Sequence, residues 1–244
     1  MSVRIDVTLT AEAVDPGSIV ATTVLVVDVL RASTTMTVAL AAGATAIVPV
    51  PDAEEARRRR AAAGADALLA GERRGNTIDG FDLGNSPVEF ASAAVRGKTI
   101  VFTTSNGTRA LLAARGAAAI GVAGLVNLSA AAAWAIAAER DIAIVCAGER
   151  GARSLEDVVC AGLLVDRMKT AEPSVHLTAT AADAAAAARP YAKDVARLRA
   201  ASSWARHLVR SGRGGDVDAC LTIDTTTLVP VFLPDVDKVV SGPR

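Results

Sequence analysis

Aromatic residues make up only 3% of this 244-residue chain. That scarcity argues against the stacking platforms on which single-stranded nucleic acids are held. Net charge of one sign is missing too, because 26 Lys and Arg balance 26 Asp and Glu. No global field therefore draws the protein to nucleic acid or to an anionic membrane, and any anion site has to be local. The three cysteines form no CxxC pair, which suits a reducing, cytoplasmic setting better than a disulfide framework. The two histidines, His176 and His207, have no partner at metal-ligand spacing and read as structural. Long hydrophobic runs are lacking as well. Residues 32–51 and 116–138 carry no charge, but glycine and polar residues break both, so they read as buried strand–turn–helix segments rather than membrane spans. "MSVRIDVTLT" at the N-terminus alternates like a strand and has no signal-peptide core.

Several catalytic signatures are also absent. There is no GxxxxGK[ST], no GxGxxG opening a helix and no GxSxG elbow, which sets aside P-loop hydrolases, ordinary dinucleotide sites and serine hydrolases. A cysteine phosphatase needs an arginine six positions after its nucleophile, but Cys146, Cys160 and Cys220 have Ala152, Asp166 and Thr226 there. Asp28 is followed by Val29 and Leu30, not by the second aspartate of a haloacid-dehalogenase phosphatase.

What is present is an alternation of short apolar runs and alanine-rich helical segments. Strands are expected at 24–27, "AIVPV", "ALLAGERRG", "KTIVF", "AIGVAG" and "IAIVCAGERG". Between them, "RASTTMTVALAAG" predicts a loop and a helix closed by Gly43. "PDAEEARRRRAAAG" predicts a helix capped by Asp52 and stopped by Gly64, with Arg57–Arg60 on a solvated face paired to Glu54 and Glu55. Further helices are expected at about 155–170, capped by Ser154, and at 181–189 and 192–210. "SGRGGD" reads as a flexible turn, and "SVHLTA", "ACLTID" and "LVPVF" as short strands. Residues 24–75 and 98–151 share one order of elements, and each ends in AGER (70–73 and 147–150), which suggests an internal duplication. The fold class expected is α/β, a single domain over 1–244 with a mostly parallel sheet covered on both faces and lobes near 1–97 and 98–244.

In such sheets ligands bind beyond the carboxyl ends of the strands. Each polar cluster of this chain falls at such an end: "DVLRAST", "GERRG", "TTSNGTR" and "GERG". In "TTSNGTR", Gly107 allows close approach, Arg109 offers a two-pronged anion contact, and the helix that follows presents free N–H groups. Asp28 with Arg31, Glu72 with Arg73, Asp82, and Glu149 with Arg150 put carboxylates beside guanidinium groups. That mixture suits Mg²⁺, which takes one or two carboxylates plus phosphate oxygens, with arginines to absorb developing charge. "NSPVE" reads also as a complete capping box of Ser86, Pro87 and Glu89.

"VVDVLRASTT", "GERRG…GFDLGNSPVEF", "TTSNGTRAL", "CAGERGARSLEDVVCAG" and "CLTID…LVPV" together resemble the ComB family, the 2-phosphosulfolactate phosphatases, from about residue 24 to 231. The resemblance implies a three-layer α/β/α fold and a Mg²⁺-dependent phosphomonoester hydrolase acting on a small anionic phosphorylated 2-hydroxy acid that bears a sulfonate. It places Asp28, Arg31, Glu72 and Arg109 in catalysis, and Asp28, Glu72, Asp82 and Asp157 around the metal. Substrate contacts are expected from Ser33, Thr34, Thr35, Arg73, Gly84, Asn85, Ser86, Thr104, Ser105, Asn106, Gly107, Thr108, Glu149 and Ser154. The alternatives are a phosphatase for another small phosphoester and a non-catalytic anion binder. A homodimer is the assembly expected, although the sequence does not fix it.

Overall fold

A computed structural model describes residues 3–63 and 66–242. The strands are β1 (Arg4–Thr8), β2 (Thr23–Val27), β3 (Ala46–Pro49), β4 (Ala67–Arg73), β5 (Asn76–Thr77), β6 (Thr99–Thr103), β7 (Ala119–Ala123), β8 (Ile142–Cys146), β9 (His176–Leu177), β10 (Pro230–Leu233) and β11 (Lys238–Ser241). The helices are α1 (Ala32–Ala41), α2 (Ala53–Ala63), α3 (Pro87–Phe90), α4 (Gly107–Ala113), α5 (Leu128–Ala137), α6 (Leu155–Ala171), α7 (Ala179–Ala188), α8 (Leu198–Ala201), α9 (Ser203–Arg210) and α10 (Gly214–Cys220).

Strand alternation builds the layers. In β2 every residue is buried, and successive side chains face opposite sides of the sheet. Leu25 and Val27 join a core with residues of α5, α6 and α7, while Val24 and Val26 join another with Met36 and Leu40 of α1 and Leu111 of α4. Helices thus cover both faces in a three-layer α/β/α arrangement. The alanine richness has a packing role. A Cβ on Gly162 of α6 would fall 2.1 Å from the Ala184 carbonyl oxygen of α7, so small residues let these two helices approach closely.

Among the described residues one sheet runs β5-β4-β6-β3-β11-β10-β7-β2-β8-β1-β9. Two blocks, β4-β6-β3 and β7-β2-β8-β1-β9, are parallel within themselves. The β10–β11 hairpin lies between them, antiparallel to both neighbours. Three antiparallel pairings between β3 and β7 set the two blocks in opposite directions, yet the loop after β6 meets the end of β2, with Gly107 against Asp28. There α4, which follows β6, packs on β2 and α1.

The expected strands and helices up to α7 are present, with Asp52 capping α2 through the Glu55 N–H (2.8 Å) and Glu55 pairing with Arg58 and Arg59. The predicted stop at Gly64 lies outside the described residues. Four expectations need correction. The helix expected over 192–210 is broken at Ser202, whose backbone is extended and whose hydroxyl caps α9. Residues 214–220 form helix α10, where "SGRGGD" reads as a turn and "ACLTID" as a strand; its buried Asp216, Val217 and Cys220 dock despite glycine's poor helix propensity, and 221–224 form no strand. Strand β11 and the central hairpin were not foreseen, since pairing between distant segments leaves no local pattern. The "NSPVE" capping box does not form. Ser86 precedes α3, but its hydroxyl donates to Asp216 and Glu89 accepts from Gly84 N–H.

All three cysteines are free and buried. Burial holds the Cys146 and Cys160 thiols well above their ordinary range, and pushes Cys220 up to about 12. Native protein at pH 8 should therefore show no thiol reactive towards a disulfide reagent within minutes, and three after denaturation. A fast-reacting native thiol would contradict this packing.

Candidate active site

Asp28 stands just beyond β2, with its side chain folded over the start of α1. Its N–H donates to Ser33 Oγ (2.9 Å), and its Oδ1 accepts from Ala32 N–H (3.2 Å). Burial raises its pKa to about 7. The charges of Glu72 and Glu156 push the same way, while the Ala32 N–H and Arg31 oppose. Gly107 makes room for it: a Cβ there would lie 2.6 Å from Asp28 Oδ2 and 2.5 Å from Ala32 Cβ. Gly107→Ala should accordingly shift Asp28, costing about 1–3 kcal/mol of stability and roughly tenfold or more in turnover. Thermal melts and initial rates check this, and an unchanged variant would mean the contact is slack.

Glu72 is at the end of β4, buried, and clamped by two backbone donors, Gly75 N–H (2.6 Å) and Ser105 N–H (2.8 Å). It therefore ties the β4 end to the loop after β6. Arg73 faces the other way, donating to its neighbour's carbonyl (2.8 Å) and to Thr103 Oγ1 (3.0 Å). Arg74 returns to the Glu72 side. Arg31, only 3% exposed, is held by Asp216 Oδ2 at 2.5 Å and by the Gly75 carbonyl at 3.1 Å. The second oxygen of Asp216 accepts from Ser86 Oγ. Trp204 closes one wall, stacked on His207 and donating from Nε1 to the Leu30 carbonyl (3.1 Å).

These groups enclose a cavity of about 470 Å³, lined by Asp28, Leu30, Arg31, Glu72, Arg74, Asn85, Ser105, Asn106, Glu149, Arg150 and Trp204. Asn85 is 5% exposed, and its Oδ1 has no hydrogen-bond partner. A buried amide oxygen without a partner costs free energy unless a ligand satisfies it.

Of the expected site residues, Asp28, Arg31, Glu72, Asn85, Ser105, Asn106 and Glu149 converge on this cavity. Others do not. Arg109 points off the outer side of α4, half exposed, to Glu12 (3.1 Å), and borders only a separate groove with Pro51, Arg73, Arg74, Thr104 and Ser105. Asp82 is exposed and accepts from Leu69 N–H (2.7 Å), bracing the β4 edge. Asp157 spends its two oxygens on Val29 N–H (2.8 Å) and Gly148 N–H (3.2 Å), pinning the ends of β2 and β8 together. Burial, with the charges of Asp28 and Glu156, holds it well above the usual carboxylate range. Ser33, Thr34 and Thr35 satisfy backbone groups around α1. Thr104 and Thr108 cap α4 reciprocally. Gly84 abuts Thr77, Ser86 serves Asp216, and Ser154 is buried at the start of α6. Arg73 lies outside the cavity, as its hydrogen bonds require.

The residues missed are Arg74, Asp216, Leu30 and Trp204, while Arg150 was read at a strand end but given no contact. Arg74 reaches the cavity through the left-handed turn that follows β4, which strand alternation in "GERRG" does not reveal. Asp216 and Trp204 carry no local signal.

The donor set can be judged for a metal. Among the described residues no cluster of three or more His, Cys, Asp or Glu side chains could enclose a cation. The cavity offers the pair Asp28 and Glu72, close enough for the Glu72 charge to act on Asp28. That sparse set fits Mg²⁺, which completes its octahedron with water and substrate oxygens. The four-carboxylate set including Asp82 and Asp157 does not fit.

A polar cavity of carboxylates and arginines at the strand ends of a three-layer α/β/α sheet suits a small anionic ligand. The family described as 2-phosphosulpholactate phosphatase matches residues 8–234, and the chain belongs to it. Three proteins named "Probable 2-phosphosulfolactate phosphatase" are similar to it. That of Symbiobacterium thermophilum is 41% identical over 85% of this chain and 90% of its own length. That of Deinococcus radiodurans is 40% identical over 87% and 88%. That of Clostridium acetobutylicum is 34% identical over 94% and 97%.

Proposed function

We propose that the protein is a Mg²⁺-dependent phosphatase that hydrolyses 2-phosphosulfolactate, or a related phosphorylated 2-hydroxy acid, to the free hydroxy acid and phosphate. The observation that carries this reading is the convergence of Asp28, Glu72 and Arg31 on one cavity, within a chain of this family. Asp28 and Glu72 are the residues that would hold Mg²⁺, which when bound polarises a phosphoryl oxygen and activates water. Arg31 is positioned for phosphoryl oxygens: Asp216 and Gly75 engage two of its five N–H groups, and the others remain for the substrate. In the reaction a water oxygen bonds to phosphorus, the ester P–O bond breaks, and the water proton ends on the departing alkoxide. Leu30 and Trp204 form an apolar wall that limits bulk water, strengthening the electrostatics inside. No described helix is long and apolar enough to cross a membrane, and the three buried free thiols suit action in the cytoplasm.

The test is phosphate release from a panel of phosphorylated 2-hydroxy acids and simple sugar phosphates, with and without Mg²⁺. The expected result is Mg²⁺-dependent release, fastest from 2-phosphosulfolactate or its close analogues. Release only from sugar phosphates would move the substrate, and no release from any of them would favour an anion binder.

A further inference from the structure

Three arginines line the cavity, and they are not equivalent. Arg31 is buried and tied to Asp216. Arg74 and Arg150 are exposed, and among the described residues neither guanidinium has a carboxylate or hydrogen-bond partner. Several other exposed arginines pair with acids, as Arg109 with Glu12, Arg115 with Asp237 and Arg167 with Asp224. Arg150 closes the second AGER element, and Arg74 lies one residue beyond the first. Each follows a cavity carboxylate, with Glu72 two residues before Arg74 and Glu149 one before Arg150. Each has a left-handed backbone, φ 54° and φ 52°, and is followed by a glycine of positive φ. The buried, unpartnered Oδ1 of Asn85 lies in the wall of the same cavity. As an acceptor it calls for a bound group with an O–H to donate, such as water or a ligand hydroxyl, while the arginines supply the contacts to an anion.

An exposed arginine is ordinarily just solvated surface. Two unpaired ones on the cavity that holds a third, already fixed arginine leave two guanidinium groups free to contact an anionic ligand. We propose that Arg74 and Arg150 are specificity-determining residues that clamp the second, non-reacting anion of the substrate, a carboxylate or sulfonate. They would thereby select phosphomonoesters with such a group near the phosphate. This rests on the reading of the cavity as a phosphatase site.

The experiment compares kcat/KM for 2-phosphosulfolactate with kcat/KM for p-nitrophenyl phosphate, which has no second anion. Wild type, Arg74→Ala, Arg150→Ala, the double variant and the two Arg→Lys variants are assayed, with thermal melts confirming folding. Each alanine variant should lower the ratio of the two constants about ten- to a hundred-fold, the usual worth of a charge-assisted contact. Lysine should restore part of that ratio, since it keeps the charge but not the planar fork. An unchanged ratio, with both substrates losing equally or neither losing, overturns the clamp. If wild type hydrolyses neither ester, the phosphatase reading fails instead. Calorimetric binding of sulfolactate to the same variants then decides the clamp: about tenfold weaker binding supports it, and unchanged binding overturns it.

Discussion

Asp28→Asn is expected to lower turnover on the order of 10²-fold or more, several kcal/mol of barrier, while leaving the fold at least as stable as wild type at alkaline pH. The two halves of this expectation have one cause. Asparagine keeps the size and the contact to Ala32 N–H, but removes the charge that would hold a cation. In the fold, burial raises Asp28 from 3.8 to about 7, so folding favours the neutral acid. The stability that this gives is complete below about pH 4 and is lost as pH rises through about 7. A side chain neutral at every pH escapes the loss. In metal-free buffer at pH 8 the variant should therefore melt no lower than wild type. A variant that is inactive because it unfolds, or one that retains full rate, would contradict this placement of Asp28.

Asp216→Ala should be the most destabilising single change near the cavity. Arg31 and Asp216 are both nearly fully buried, so removing the carboxylate strands a guanidinium in the interior and frees Ser86 Oγ as well. Breaking a buried pair from one side costs about 3–5 kcal/mol. At about 2–4 °C per kcal/mol for a chain of this size, the melting temperature should fall by roughly 6–20 °C. Arg31→Met with Asp216→Leu, which removes both charges, should regain most of that stability yet stay inactive. A drop of less than 2 °C in Asp216→Ala would show that water reaches Arg31 and that the pair does not anchor α10.

How far the sequence foretold the site follows from how local each signal was. β2, β6 and β8 are short apolar runs, each followed by a polar turn and helix, and their ends delivered Asp28, Ser105, Asn106 and Glu149 to one cavity. Arg109 was misplaced because helical geometry turns the third residue of α4 outward to Glu12, although the loop before it does line the site. Arg73, the residue after Glu72 in β4, faces the other side of the sheet, and the turn beyond the strand brings Arg74 to the cavity instead. Asp82 lies outside the cavity and Asp157 within reach of the Asp28 charge, yet both satisfy backbone N–H groups. Carboxylates in loops serve the backbone as readily as a metal, and sequence does not distinguish the two uses. The Arg31–Asp216 pair joins positions 185 residues apart, through a helix with two glycines that reads as a turn. The central β10–β11 hairpin was hidden for the same reason, since its partners β3 and β7 are set by the closure of the whole sheet.

The central claim is that Asp28 and Glu72 together hold the catalytic cation in the cavity they share with Arg31. Crystals grown with Mn²⁺ in place of Mg²⁺, in the presence of sulfolactate and phosphate, test it through the anomalous signal of the metal. The account predicts a strong anomalous peak between the two carboxylates, within about 2.0–2.3 Å of at least one oxygen of each, and its loss in Asp28→Asn. A peak at Asp82 or elsewhere outside the cavity, in a preparation that Mn²⁺ fully activates, would contradict it.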